Sequence, residues 1–201
     1  MLSFLIGIGF VVGAGLAVAK AVEPQPPAAL AGCHLARQLA PRTYVSSPPM
    51  CVDLSRSYTA GIHTSRGLIS IKTDANTSDP VTVNNFLVLA SHGFYNGMAF
   101  FNVQSWAVQS GDPLGNGRGG PGYVLPDEPS KSPWVAGEVG MARVRGGAVN
   151  GSQFFILKDQ WPGGGPKDVT YNQFATVTRG LDVLGTLTAS DRIVYIEVKP
   201  G

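Results

Sequence analysis

The sequence predicts a mainly β protein, in which many short strands curl into a small closed β-barrel capped by two helices. Three observations lead there. The 26 Gly and 15 Pro in 201 residues disfavour a helical bundle and suit a turn-rich β architecture. Period-two alternation recurs in short runs along the chain. Besides an N-terminal hydrophobic helix, only two stretches carry helical signals, and closing the sheet removes the exposed edges that so many short strands would otherwise leave.

A hydrophobic content of 44% is ample for one core, and the length allows one ordinary domain plus extras. Residues 58–62 and 67–72 alternate around the polar turn Thr64-Ser65-Arg66, which reads as a hairpin. Asp79-Pro80 opens the first helix, a capping acid followed by a first-turn proline. Val83, Phe86, Leu87 and Ala90 share its inner face and Gly93 ends it, a structural helix with no chemistry on its apolar stripe. Residues 98–103 and 106–110 read as strands, followed by a Gly-rich loop over 111–122. Gly115-x-Gly117-x-Gly119 lacks the phosphate-loop pattern and opens no helix, so nucleotide binding is discounted.

Residues 123–133, rich in Pro and charge, read as surface. Further strands fall at 138–142, 153–157 and 174–178, with a rim loop over 161–167 around Gly163-Gly164-Gly165. Residues 180–187 form a short second helix with Leu181, Leu184 and Leu187 inward, and 193–198 complete the sheet.

Residues 1–22 read as a transmembrane anchor or signal peptide, since no charged side chain occurs before Lys20. At about 1.5 Å per residue such a helix covers roughly the hydrocarbon thickness of a bilayer. Small residues near Ala17-Val18-Ala19 suit cleavage, but a basic n-region is missing. Gly9 and Gly13 give the small-xxx-small face of an anchor. Residues 23–52 read as a tether holding Cys33 and Cys51, and residues 53–201 as the folded domain.

Lys20, Arg37 and Arg42 follow the apolar run, which by the positive-inside rule alone places the domain in the cytoplasm. The two cysteines point the other way, to a disulfide and an oxidising compartment. Unpaired thiols and a lipobox-like Leu30-Ala31-Gly32-Cys33 remain as alternatives. The export readings share an extracytoplasmic domain, membrane-anchored or secreted. A formal net charge of +2 without a basic run argues against a nucleic-acid partner. His34, His63 and His92 are scattered and imply no metal site, and Ser152 has no acid–base partner near it in sequence, which argues against a hydrolase.

Asn150-Gly151-Ser152-Gln153-Phe154-Phe155 reads as a turn running into a strand. Asn150-Gly151 suits positive φ, and Gln153 and Phe155 then share one face, an amide beside an aromatic plate. Upstream stand Tyr95-Asn96-Gly97-Met98-Ala99-Phe100-Phe101-Asn102-Val103 and Trp106-Ala107-Val108-Gln109-Ser110-Gly111-Asp112-Pro113. Over residues 58–197 these runs resemble the cyclophilin family of peptidyl-prolyl cis-trans isomerases. That family shows Tyr-x-Gly-x-x-Phe-His-Arg-Val, Gln-Gly-Gly-Asp-Pro, a Gly-rich loop, and Met-Ala followed by Asn-Gly-Ser-Gln-Phe-Phe. The resemblance implies an eight-stranded antiparallel barrel with a helix at each end, no cofactor, and proline-containing polypeptides as partners.

Rotating an X–Pro bond meets a barrier of about 18–20 kcal/mol set by amide resonance. Catalysis needs a pocket for the ring, hydrogen bonds to the flanking backbone, and a donor that favours the twisted amide. By resemblance, Trp106 and Ala107 take the proline-pocket positions, Phe155 the pocket floor, and Tyr171 a His-or-Tyr position. Gln109 and Gln153 would hold the peptide backbone, beside Phe101 and the Met141-Ala142-Arg143-Val144 edge, where Ala142 and Val144 contact substrate.

One departure stands out: Phe100-Phe101-Asn102 replaces Phe-His-Arg, and no arginine occurs between Arg66 and Arg118. Asn102 is neutral and shorter than arginine, and losing a preorganised charged donor costs on the order of 10²–10³ in rate. Arg143 is the candidate replacement. The sequence thus supports a membrane-tethered prolyl isomerase with reduced activity that assists exported proteins, or alternatively a module that binds proline-containing peptides with catalysis impaired.

Overall fold

The structure, a computed structural model, describes residues 30–128, 133–143, 147–162 and 170–201. The apolar stretch expected to anchor or target the chain, residues 1–22, lies outside the described residues.

From Leu30 onward the segment expected as a loose tether is docked. Leu30, Cys33, Tyr44 and Val52 join the main core. Strands β1 (Gln38–Ala40) and β2 (Thr43–Tyr44) form a small hairpin. Cys33 and Cys51 are disulfide-bonded across a separation of 18 residues. The segment is fixed because its backbone finds partners on the domain. Tyr44 N–H donates to the Pro121 carbonyl at 2.7 Å, and Cys51 and Val52 N–H donate to Asn84 Oδ1 at 2.9 and 3.1 Å.

The first expected hairpin forms as β3 (Tyr58–Thr64) and β4 (Gly67–Thr73), paired from Tyr58↔Thr73 to Thr64↔Gly67. Helix α1 (Pro80–Ser91) follows. It stops where Gly93 turns left-handed at φ 68°, a geometry that costs glycine little. Strands β5 (Asn102–Val103), β6 (Ala107–Ser110), β7 (Val124–Leu125), β8 (Glu138–Arg143), β9 (Val149–Leu157) and β10 (Gln173–Arg179) come next, then α2 (Leu181–Thr186) and β11 (Ile193–Pro200). The span expected as surface after Gly122 contains β7, with Leu125 buried and the Tyr123 hydroxyl donating to Asn85 Oδ1 at 2.8 Å. In α2, Leu184 and Leu187 face inward as expected, but Leu181 is 48% exposed.

The large sheet has the order β11-β3-β4-β10-β8-β9-β6-β5, with β7 pairing β9, and every pairing is antiparallel. Nine strands therefore curl around the core rather than eight. The expected closed barrel is not formed by strand pairing, since β11 and β5 end the path unpaired with each other. Backbone bonds bridge the seam instead: Phe100 N–H to Asp191 O, Ile193 N–H to Met98 O and Gly97 N–H to Ile193 O.

α1 packs against β9, β10 and β11, while α2 lies on β4. Tyr58, Phe86, Tyr95, Phe100 and Phe154 are fully enclosed, and each buried side chain of this size stabilises the fold by about 1.5–3 kcal/mol. A second, smaller cluster sits on the other face of β6, β8 and β9, around Ala107, Ala142, Phe155 and Leu157.

Candidate active site

Strand alternation builds the site. Asn102↔Gln109 and Gln109↔Phe155 are direct cross-strand partners, as are Gly140 and Phe155. Directly opposed residues share a face, so an amide row and an aromatic floor meet on one side of the sheet. Gly140 leaves the space under that floor. A Cβ there would stand 2.6 Å from both Phe155 Cζ and Trp134 Cη2.

The amides form one directed chain. Gln104 Nε2 donates to Asn102 Oδ1 at 3.3 Å, and Asn102 Nδ2 donates to Gln109 Oε1 at 3.1 Å. Gln109 Nε2 donates to Gln153 Oε1 at 2.9 Å, and Gln153 Nε2 to the Gly119 carbonyl at 2.7 Å. Every group in this row is neutral. Its far end is fixed by the Asn150–Gln153 run. Asn150 Oδ1 accepts from Ser152 and Gln153 N–H, both at 2.9 Å, and Asn150 Nδ2 donates to Gly119 O at 3.0 Å. Ser152 Oγ donates to Gly111 O at 2.7 Å, and α1 joins in through Asn85 Nδ2, which donates to Gly151 O at 2.8 Å.

The Gly-rich loop is wound on the buried carboxylate of Asp112, which accepts from Leu114, Asn116 and Gly117 N–H at 2.8, 2.9 and 2.5 Å. Asn150 and Gly151 lie inside β9 rather than in a turn before it, and Gly151 is not among the positive-φ glycines.

Beside the amides lies a ring cluster. All three tryptophans of the chain are in it. Trp106 and Trp161 have ring centroids 5.0 Å apart, Trp134 and Phe155 5.4 Å, Phe155 and Tyr171 5.4 Å edge-on, and Trp161 and Tyr171 5.2 Å. Phe155, Ala107 and Ala142 are buried beneath partly open Trp106, Trp134, Trp161 and Tyr171. The result is an apolar surface of ring faces beside the amide row.

Of the residues expected at the site, Trp106, Ala107, Ala142, Phe155 and Tyr171 gather in this cluster, and Asn102, Gln109 and Gln153 in the amide row beside it. Phe101 lies apart, in a groove with Arg42, Leu114 and Arg192. Val144 lies outside the described residues. Arg143 is on β8 where register with β9 breaks after Met141, an irregularity of the kind that re-aims side chains near sites. Its guanidinium donates to the Thr170 carbonyl and, at 2.5 Å, to the Gly147 carbonyl, and pairs with Asp127 Oδ1 at 2.9 Å. None of these contacts is with Asn102 or Gln109. The guanidinium binds segments flanking the cluster together instead of extending over the amide row.

Sequence reasoning left out Trp134 and Trp161 as ring partners. Neither sits in a periodic run that fixes its direction. The available signal was compositional: three tryptophans beside a predicted aromatic floor.

The fold and site together define a class: a curled antiparallel β-sheet protein with an aromatic cluster beside a row of side-chain amides. Residues 59–197 match the model of the cyclophilin type peptidyl-prolyl cis-trans isomerase family, and the chain belongs to that family. A peptidyl-prolyl cis-trans isomerase of Synechococcus elongatus is 36% identical over 138 residues, covering 68% of this chain and 93% of the relative. Peptidyl-prolyl cis-trans isomerase B of Bacillus subtilis is 36% identical over 123 residues, 60% of this chain and 83% of that one. Among solved structures, a cyclophilin type isomerase of Cryptosporidium parvum superposes with a TM-score of 0.62 at 25% identity, covering 73% of this chain and 98% of its own. A second structure of that protein, in the presence of the dipeptide Ala-Pro, gives a TM-score of 0.58 at 26% identity, over 71% and 98% of the two chains.

Proposed function

We propose that this cyclophilin-type peptidyl-prolyl cis-trans isomerase acts slowly on proline-containing segments of exported polypeptides. The observation that carries the reading is the amide row Asn102–Gln109–Gln153 set beside the ring cluster. The cluster takes the proline ring and the glutamines orient the flanking backbone, a positioning that favours one path of rotation. The dipeptide in the Cryptosporidium structure supports proline-containing peptides as the ligand class.

The rate is low because the donor facing the twisted amide is weak. An asparagine amide has two N–H groups, and one of them is already engaged by Gln109. Arg143 is held by Asp127 and two carbonyls, so it does not make up the difference. Exchange NMR on an X–Pro peptide tests this. Wild type should accelerate cis–trans exchange modestly, Arg143→Ala should leave that acceleration within about threefold, and Phe155→Ala should remove peptide binding. A large loss in Arg143→Ala would instead make that arginine the missing donor.

Action on exported proteins is supported by the Cys33–Cys51 disulfide, which persists in oxidising compartments. The apolar residues 1–22 would hold the domain at a membrane; among the described residues no helix is long and apolar enough to cross one. A second reading, a peptide-binding module with catalysis impaired, is favoured by the same neutrality of the amide row.

A further inference from the structure

A groove of about 540 Å³ opens beside Phe101, lined by Arg42, Met98, Phe101, Asp112, Leu114 and Arg192 among others. Two of its walls carry guanidiniums, and neither of these arginines is in an ion pair among the described residues. Each makes one backbone contact, Arg42 with the Asn96 carbonyl and Arg192 with Gly97 O at 3.2 Å. Guanidinium has five donors in a planar fork, so one backbone bond each leaves most of that capacity for a further acceptor.

Two acids lie at or beside the groove, Asp112 in its lining and Asp191 next to Arg192, and both carboxylates are turned to other donors. Asp112 faces three backbone N–H groups of its own loop. Asp191, next to Arg192, accepts from Ser65, Arg66 and Thr188, contacts that hold its carboxyl well below the usual range. Leu114, 66% exposed, adds an apolar rim, and Phe101 and Met98 an apolar floor.

The groove and the amide row share the Gly-rich loop: Leu114 and Gly115 line the groove, and the Gly119 carbonyl accepts from Gln153 at the end of the row. Half of the groove's positive charge comes from the disulfide-bracketed hairpin: Arg42 stands between Cys33 and Cys51, outside the matched residues 59–197. We propose that this groove is a second subsite that selects substrates by an acidic side chain flanking the proline, with Arg42 and Arg192 receiving the carboxylate. The proposal rests on the function given above, in that the same polypeptide occupies both places.

The test uses the full chain and a series of peptides with one proline, in which a single Glu or Gln is stepped through the positions on either side. Binding is read by NMR titration. At one offset Glu should bind about two- to fivefold more tightly than Gln at low salt, as expected for a partly exposed charge pair, and the advantage should shrink in high salt. Arg192→Gln keeps an amide for Gly97 O and should erase the Glu advantage while leaving the Gln peptides unchanged; Arg192→Glu should shift preference to Lys at that offset. Equal binding of Glu and Gln peptides at every offset overturns the groove and leaves the isomerase reading standing. Failure of all peptides to bind overturns both.

Discussion

A methyl group added at Gly151 would stand 2.6 Å from Cγ of Pro121 and 2.7 Å from the carbonyl oxygen of Tyr123. The residue is glycine because the Gly-rich loop crosses directly over β9 there, and Asn85 holds its carbonyl from the other side. Gly151→Ala should therefore destabilise the protein by about 1–3 kcal/mol, the usual range for overpacking, as read from urea unfolding. A change below about 0.5 kcal/mol would contradict the close approach. The Asn-Gly pair was legible in the sequence as special, but positive φ and close backbone approach both select glycine, and the sequence cannot separate them. The same limit applies to Arg143: its place on the strand was legible, whereas its direction depends on Asp127 and Thr170, which the chain brings there from separate segments.

At the start of α1 the sequence shows an acid before a proline, and Asp79 does occupy the N-cap position. Its side chain does not cap. Glu128 does, accepting from Val81 and Thr82 N–H at 2.9 Å each and from the Thr82 hydroxyl at 2.8 Å. A carboxylate at a helix N-terminus is stabilised by the unpaired N–H groups and the dipole, and no local pattern could have announced one 47 residues away. Asp79 is left buried, with Ser78 donating to one oxygen and the other unpaired. Burial, offset in part by the Ser78 bond and reinforced by the nearby Glu128 charge, pushes its carboxyl up to about 6.

A raised acid binds its proton more tightly in the folded state, so its contribution to stability falls as pH rises from the unfolded value near 4 through 6, and the cost is fully present above that. Asp79→Asn should thus be more stable than wild type by on the order of 2–3 kcal/mol at pH 7.5, with the difference vanishing near pH 3.5. Denaturant unfolding at both pH values measures this; a difference independent of pH would refute the assignment.

At the scale of the whole molecule, the mainly β class, the antiparallel pairing and both described helices were legible because alternation and breakers are local signals. The open seam between β11 and β5 was not, since it depends on where a ladder ends. Nor was the docking of residues 30–52, a stretch poor in large apolar residues. Besides the burial of Leu30, Tyr44 and Val52, it is held by the disulfide and by Asn84, which accepts from Cys51 and Val52 N–H and donates to the Pro49 carbonyl, and Asn84 lies on a helix whose sequence advertises only its apolar stripe. Closing a loop of 18 residues is worth about 3 kcal/mol. Reduction should therefore lower the unfolding free energy by about that amount and expose the amides of Tyr44 and Val45 to hydrogen exchange. An unchanged midpoint under reductant would show that the segment docks without its covalent link.

If the proposed function holds, the peptide site is complete and Asn102 limits the rate. The most direct measurement is exchange NMR on an X–Pro peptide with the full chain and its Asn102→Arg variant at matched occupancy. Both proteins should bind the peptide with similar affinity, and the variant should accelerate exchange by at least tenfold, toward the roughly 10²–10³ that a preorganised charged donor supplies. Equal rates in the two proteins with binding intact would contradict it.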